Sequence, residues 1–245
     1  MPFVERGGAS IYYEEYGSGD PLLLLAPGGL NSSIQFWARM PLNPVDAFKD
    51  EFRIIAMDQR NAGRSRGPLE TGDPWRMYAQ DQLAVLDHLG VEKASVIGCC
   101  IGCTFIFELI ERASERVAAG VLMQPIGHDH TNPGTFGPQT WAPWGQTLID
   151  AGATFTMDTV DLFGHGLFDT DFVFSVTKDF LGGVRTPLLL LYGNDRAHPH
   201  GVSAELASLL PNVEPIERWR DPDVVPEAAQ RMREFLRTHR VVGAT

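Results

Sequence analysis

The residues with the greatest chemical potential stand together at Val96-Ile97-Gly98-Cys99-Cys100-Ile101-Gly102, where a short apolar run meets a segment of helical periodicity. The spacing Gly-x-Cys-x-Gly puts a nucleophile, Cys100, on a sharp turn from strand to helix, and the flanking glycines let the two elements approach closely. A thiol at a helix N-terminus meets the positive end of the backbone dipole, which favours the thiolate that attacks carbonyl carbon. The backbone N–H of Ile101 would then point at the oxyanion formed on a substrate. A second donor is expected from the glycine turn Pro27-Gly28-Gly29-Leu30 after the apolar run Leu22–Ala26, with the N–H of Gly29 as the candidate.

The same stretch supports a competing chemistry. Cys100-Ile101-Gly102-Cys103 is a C-x-x-C pair at a helix start, the arrangement of thiol–disulfide exchange. The elbow glycines already account for the turn, however, and Cys99 and Cys103 read as small buried hydrophobes. All three cysteines lie within residues 99–103, too close to staple a fold, which points to a reducing cytoplasm. One C-x-x-C with scattered histidines offers no second ligand pair, and neither a phosphate loop nor an EF-hand spacing occurs, so no metal or cofactor is expected.

The chain that positions these residues has 245 amino acids, long enough for one large domain with a substantial core. Hydrophobic residues at 44% and charged residues at 21% are those of a globular protein. Lys+Arg 20 against Asp+Glu 31 leaves a net charge of −11, which repels phosphate backbones and anionic lipid. A small-molecule substrate is therefore the expected partner, nucleic acid and membrane are not, and a homodimer is left open. No apolar run approaches a membrane span, and the N-terminus lacks a basic start followed by an apolar stretch, so no secretory signal is expected.

Periodicity supplies the elements. Phe3–Arg6 and Ile11–Tyr16 around Gly7-Gly8 read as a hairpin. Solid apolar runs at Leu22–Ala26, Arg53–Met57, Ala94–Gly98, Ala119–Met123, Pro187–Tyr192 and Val213–Ile216 have the character of parallel strands covered on both faces. Helical patterns at Met77–Leu89, Ile101–Glu115, Ser203–Leu209 and Glu227–His239 alternate with them, which predicts an α/β fold with ligands beyond the carboxyl ends of the strands. Residues 126–184 break the alternation with turns and aromatics and read as a lid insertion, leaving 1–125 and 185–245 as the core.

Taken in order, these motifs resemble the α/β-hydrolase superfamily. The apolar strand into a glycine turn, Asp58-Gln59-Arg60-Asn61-Ala62-Gly63-Arg64-Ser65, the elbow, a lid and a strand ending near an acid follow that family's sequence. Pro27 stands where a histidine is usual, Asn61 where a glycine is, and Cys100 where a serine is. The last change is similar to the Cys-dependent lactone hydrolases of the superfamily. The resemblance implies a mostly parallel twisted sheet of about eight strands flanked by helices, with an acid after the penultimate strand and a histidine after the last. Asp195, following Pro187–Tyr192, is the candidate acid. Asp58 and Arg60 read as residues that tie their loop together.

No histidine follows the last predicted strand, where the chain runs Glu217-Arg218-Trp219-Arg220-Asp221-Pro222-Asp223. His239 comes too late. His198, three residues from Asp195, ranks first as its replacement, although its place before Pro199 at a helix start also suits a structural role. His200, His128 and His130 lie near strand ends, His165 falls in the lid without a nameable partner, and a thiol can also act on an activated acyl group without a base. The leading expectation is hydrolysis of a small, fairly apolar ester or lactone through a Cys100 acyl-enzyme, with Asp195 and His198 managing the proton. The alternatives are a non-hydrolytic protein of the same fold that binds a small apolar ligand and, third, the C-x-x-C redox protein.

Overall fold

The structure, a computed structural model, describes residues 2–170 and 172–240. Eight strands form one sheet: β1 Phe3–Arg6, β2 Ala9–Tyr16, β3 Asp20–Leu25, β4 Phe52–Met57, β5 Ala94–Cys99, β6 Val117–Met123, β7 Leu188–Leu191 and β8 Val213–Ile216. Their order across the sheet is β1-β2-β4-β3-β5-β6-β7-β8. The β1–β2 and β2–β4 pairs are antiparallel and every later pair is parallel. Helices α1 Pro44–Phe48, α2 Pro74–His88, α3 Ile101–Ala113, α7 His200–Leu209 and α8 Val225–Thr238 fill the crossovers and the C-terminal end, and α4 Pro138–Asp150, α5 Met157–Phe168 and α6 Lys178–Gly183 lie between β6 and β7.

Strand alternation sorts the core into two layers. Leu23, Leu25, Ile55 and Met57 face α2, α3 and the 138–184 helices, whereas Leu22, Leu24, Ile54 and Ala56 face α1 and α8. Each such leucine removed from water contributes on the order of 1.5–3 kcal/mol, and burial on both faces explains the unbroken apolar runs. Strand β3 extends two residues ahead of its apolar run because Asp20 and Pro21 pair with Phe52 and Arg53. Helix α2 likewise begins at Pro74, where Asp73 caps it by accepting from the Arg76 N–H.

Polar fasteners hold the loops at the carboxyl edge. Arg60 and Asp81 are both fully buried and meet through two parallel hydrogen bonds of 2.8 and 2.6 Å, with Arg6 adding a third contact at 3.1 Å. The Asp58 carboxylate accepts from the N–H groups of Ile34 and Arg64, at 2.8 and 2.7 Å, although burial pushes its pKa up. Both side chains thus serve the loop. The helices between β6 and β7 pack at glycines: a Cβ on Gly145 would lie 2.3 Å from Val160, and one on Gly164 would lie 2.1 Å from Trp141. Most of the aromatics there pack on one another, with Phe136 stacked on Phe168 and Phe168 on Trp141. They are continuous with the layer over α2 and α3 and not a core of their own, since Phe163 meets Tyr78 edge-on. Among the described residues, no helix is long and apolar enough to cross a membrane.

Candidate active site

Strand β5 delivers Cys100 to the sheet's carboxyl edge in a conformation that L-residues seldom adopt, φ 60° and ψ −118°. The turn is held by the Cys100 N–H, which donates to Met123 O at 2.9 Å, and by two close backbone approaches. A Cβ on Gly98 would sit 2.2 Å from Gly102 O, and one on Gly102 would sit 2.1 Å from Leu25 O. These contacts are the steric reason for the Gly-x-Cys-x-Gly spacing. Cys100 is partly buried, whereas Cys99 and Cys103 are fully buried and burial pushes both of their thiols up. Cys103 also donates to Gly98 O and Met123 O, 3.3 Å each. No disulfide joins the three.

Two backbone amides face the Cys100 sulfur. One is that of Ile101, at the start of α3. The other belongs to Gly28, the residue before Gly29 in the same glycine turn. Where the chain leaves β3, Gly28 with φ 122° and Gly29 with φ 58° both take conformations open to glycine. Gly29 opens the 3-10 turn Gly29–Asn31.

The loop after β7 supplies the imidazole. Asp195 and His198 close a tight turn through reciprocal backbone hydrogen bonds of 3.1 and 3.2 Å. The Asp195 Oδ1 atom takes His198 Nδ1 at 2.7 Å, together with the N–H groups of Ala197 at 3.0 Å and His198 at 3.1 Å. The other ring nitrogen, Nε2, is buried without a hydrogen-bond partner, and the Cys100 thiol is close enough to act on the charge of the ring. Gly193 makes this placement feasible, since a Cβ there would lie 2.6 Å from the His198 Cβ and 2.3 Å from its carbonyl oxygen.

The remaining histidines lie elsewhere. His200 packs against Tyr192, His128 against Phe136 and Phe174, and His130 is exposed. His165 meets Asp169 at 2.8 Å, and His239 packs on Phe235 at the end of α8. After β8 the chain brings Arg220, not a histidine, to the acid, a placement for which the linear sequence carries no signal. Among the described residues, no three His, Cys, Asp or Glu side chains gather as a metal-ligand group.

The electrostatics couple the three side chains. Burial disfavours the charged sulfur, yet the His198 charge and hydrogen bond, with the Ile101 and Gly28 amides, hold the Cys100 thiol below its ordinary value. Burial also disfavours the imidazolium, but the adjoining thiolate and Asp195 push the His198 pKa up to about 9. The hydrogen bond from His198 and the Arg220 contact, opposed by partial burial, hold Asp195 well below the usual carboxylate range. These contacts favour the charged forms of Cys100, His198 and Asp195 against the cost of burial.

The family model for the alpha/beta hydrolase fold matches residues 21–158, more than half of the chain. The chain belongs to that family. A protein named as a carbamate hydrolase, RutD, from Azorhizobium caulinodans is 36% identical over 117 residues, 48% of this chain and 42% of that protein. The chain spans less than half the length of the curated relatives it matches. Among solved structures, a 2-hydroxy-6-oxo-6-phenylhexa-2,4-dienoate hydrolase from a Rhodococcus species superposes with a TM-score of 0.74 at 16% identity, covering 96% of this chain and 98% of that one. An N-acyl homoserine lactone degrading enzyme gives 0.67 at 24% identity, covering 96% and 100%. At such identities these two likenesses concern the fold.

Proposed function

We propose that the protein hydrolyses a small, fairly apolar ester or lactone through an acyl-enzyme on Cys100. The placement of Cys100 on the elbow near His198, whose Nδ1 meets Asp195 Oδ1 at 2.7 Å, carries the proposal. In this reading the Cys100 thiolate attacks the carbonyl carbon. A C–S bond forms while the carbonyl π pair moves onto oxygen, where the N–H groups of Ile101 and of Gly29 in the turn after β3 receive it. Collapse of the tetrahedral species breaks the C–O bond, and the His198 imidazolium gives its Nε2 proton to the leaving alkoxide. His198, now neutral and held by Asp195, takes a proton from water as that water attacks the thioester. The acid departs, and the sulfur and ring return to their charged pair. Lactones suit this sequence because the leaving alkoxide stays tethered to the acyl group, and the names of the carbamate hydrolase and lactone-degrading relatives agree with acyl chemistry.

The test is turnover of p-nitrophenyl acetate and of simple lactones by wild type and by Cys100→Ala, with intact-mass detection of an acetylated Cys100. Loss of turnover by about a thousandfold or more, with an acyl adduct in the wild type, is expected. Unchanged turnover would remove the mechanism. A Cys100 that is slow to alkylate near neutral pH would instead fit a ligand-binding protein without hydrolysis.

A further inference from the structure

Arg220 closes the acid end of the site from a loop separate from that of His198. It follows β8, and its Nη1 donates to Asp195 Oδ2 at 3.2 Å. Its neighbour Trp219 is buried and anchors the loop by donating from Nε1 to Tyr192 O at 2.8 Å, and the guanidinium carbon of Arg220 lies 5.9 Å from the Trp219 ring centroid. The two oxygens of Asp195 therefore have separate tasks. Oδ1 gathers the His198 ring and two amides, while Oδ2 receives the one guanidinium. A carboxylate fixed at both oxygens cannot rotate away from the imidazole without breaking several hydrogen bonds at once.

From this geometry we infer that Arg220 is a positioning residue: it holds Asp195 ionised and aimed at His198, and its charge biases the proton shared by His198 and Cys100. The inference builds on the proton relay proposed above but not on hydrolysis itself, because the reactivity of the sulfur reports the same relay. The other titratable or charged groups around the relay include Cys99 and Cys103 on the elbow, Arg196 and His200 on the β7–α7 segment, Asp129 packed at Gly201, Tyr192 beyond β7, and Glu217, which acts on Tyr192 from the loop after β8. Arg196 is turned away to Thr135 Oγ1 and Pro133 O, and His200 packs on Tyr192. The two flanking thiols are buried and held protonated. Among the described residues, Arg220 is thus the side-chain cation in contact with Asp195 other than His198 itself.

The sign follows from charge. A cation beside the relay eases loss of a proton from the sulfur, so removing it moves thiolate formation to higher pH. Arg220 is partly exposed and screened, so the shift is expected to be about half a pH unit, less than a buried charge would give. The experiment follows iodoacetamide alkylation of Cys100 against pH, by peptide mass, in wild type, Arg220→Met and Arg220→Lys, with a thermal melt of each. The Met variant should alkylate about threefold more slowly below the midpoint, with the midpoint displaced upward, and Lys should restore it. Arg220→Gln, which also lacks the charge, serves if Met does not fold. A Met or Gln profile that superimposes on wild type would overturn the inference. A wild type that alkylates along the expected profile but cleaves no ester would sink the proposed reaction and leave the role of Arg220 standing.

Discussion

Gly193 and His198 pack backbone to side chain so closely that a Cβ on the glycine would stand 2.6 Å from that of the histidine. The Gly193 N–H also donates to Ser203 Oγ at 3.0 Å, which ties the end of β7 to α7. The ring beside Cys100 is therefore placed by a missing side chain. Gly193→Ala should displace His198 and lower hydrolysis by about a hundredfold, because an ångström of misplacement at a catalytic group costs that much. It should also cost about 1–3 kcal/mol of stability through overpacking. Steady-state kinetics beside a denaturant melt checks both, and unaltered kinetics would mean that the ring is positioned otherwise.

The pH dependence has a defined shape. The Cys100 thiol is held below its ordinary value, so the thiolate appears as pH rises through that lowered value. His198 is pushed up to about 9, so the imidazolium needed by the leaving group is present below that pH and is lost as pH rises through it. The rate of acylation should therefore trace a bell, with an alkaline limb near pH 9. These limbs belong to the coupled pair and not to either residue alone. An alkaline limb near the ordinary histidine value, about 6.5, would contradict the pairing.

Among the histidines, only His198 should matter for the reaction. His198→Ala should reduce hydrolysis by about a hundredfold to ten-thousandfold and slow alkylation of Cys100 near neutral pH. Alanine at His128, His130 or His200 should leave both within about twofold. Kinetics on the four variants separate these outcomes, and a comparable loss at any of the latter three would move the base.

Cys103→Ala bears on the C-x-x-C reading. Its thiol is fully buried and spends its hydrogen on Gly98 O and Met123 O. The variant should keep wild-type hydrolysis and lose about 1–2 kcal/mol of stability, as expected for one buried group. A reversible Cys100–Cys103 disulfide, found by mass spectrometry after mild peroxide treatment and missing from the variant, would revive the redox chemistry.

Arg60→Ala should act on stability alone. It leaves the Asp81 carboxylate buried with Arg6 as its remaining cation, an arrangement that costs about 3–5 kcal/mol. Chemical denaturation measures the loss, and a change under 1 kcal/mol would show that the pair is not the fastener of this loop.

Much of this protein was legible from the order of its residues, because the forces involved act between near neighbours. Solid apolar runs mark strands covered on two faces, as at the fully buried Leu188–Leu191. Val213–Ile216 forms a strand over the expected residues but stands half-exposed at the sheet edge, not covered on both faces. The glycines at 98 and 102 mark the elbow because they relieve clashes within one turn and against the adjacent strand. Asp195 and His198 lie three residues apart, close enough for a local turn to join them.

Only the tertiary structure decided which loops gather around Cys100, that His198 joins Asp195 beside it and that Arg220 grips the acid. Each depends on loops from β3, β5, β7 and β8 converging at one sheet edge. That convergence is set by strand order and packing between segments distant in the chain. The spacing of residues along the sequence carries no trace of such meetings, since a guanidinium 25 positions beyond Asp195 becomes its partner only once β8 lies beside β7.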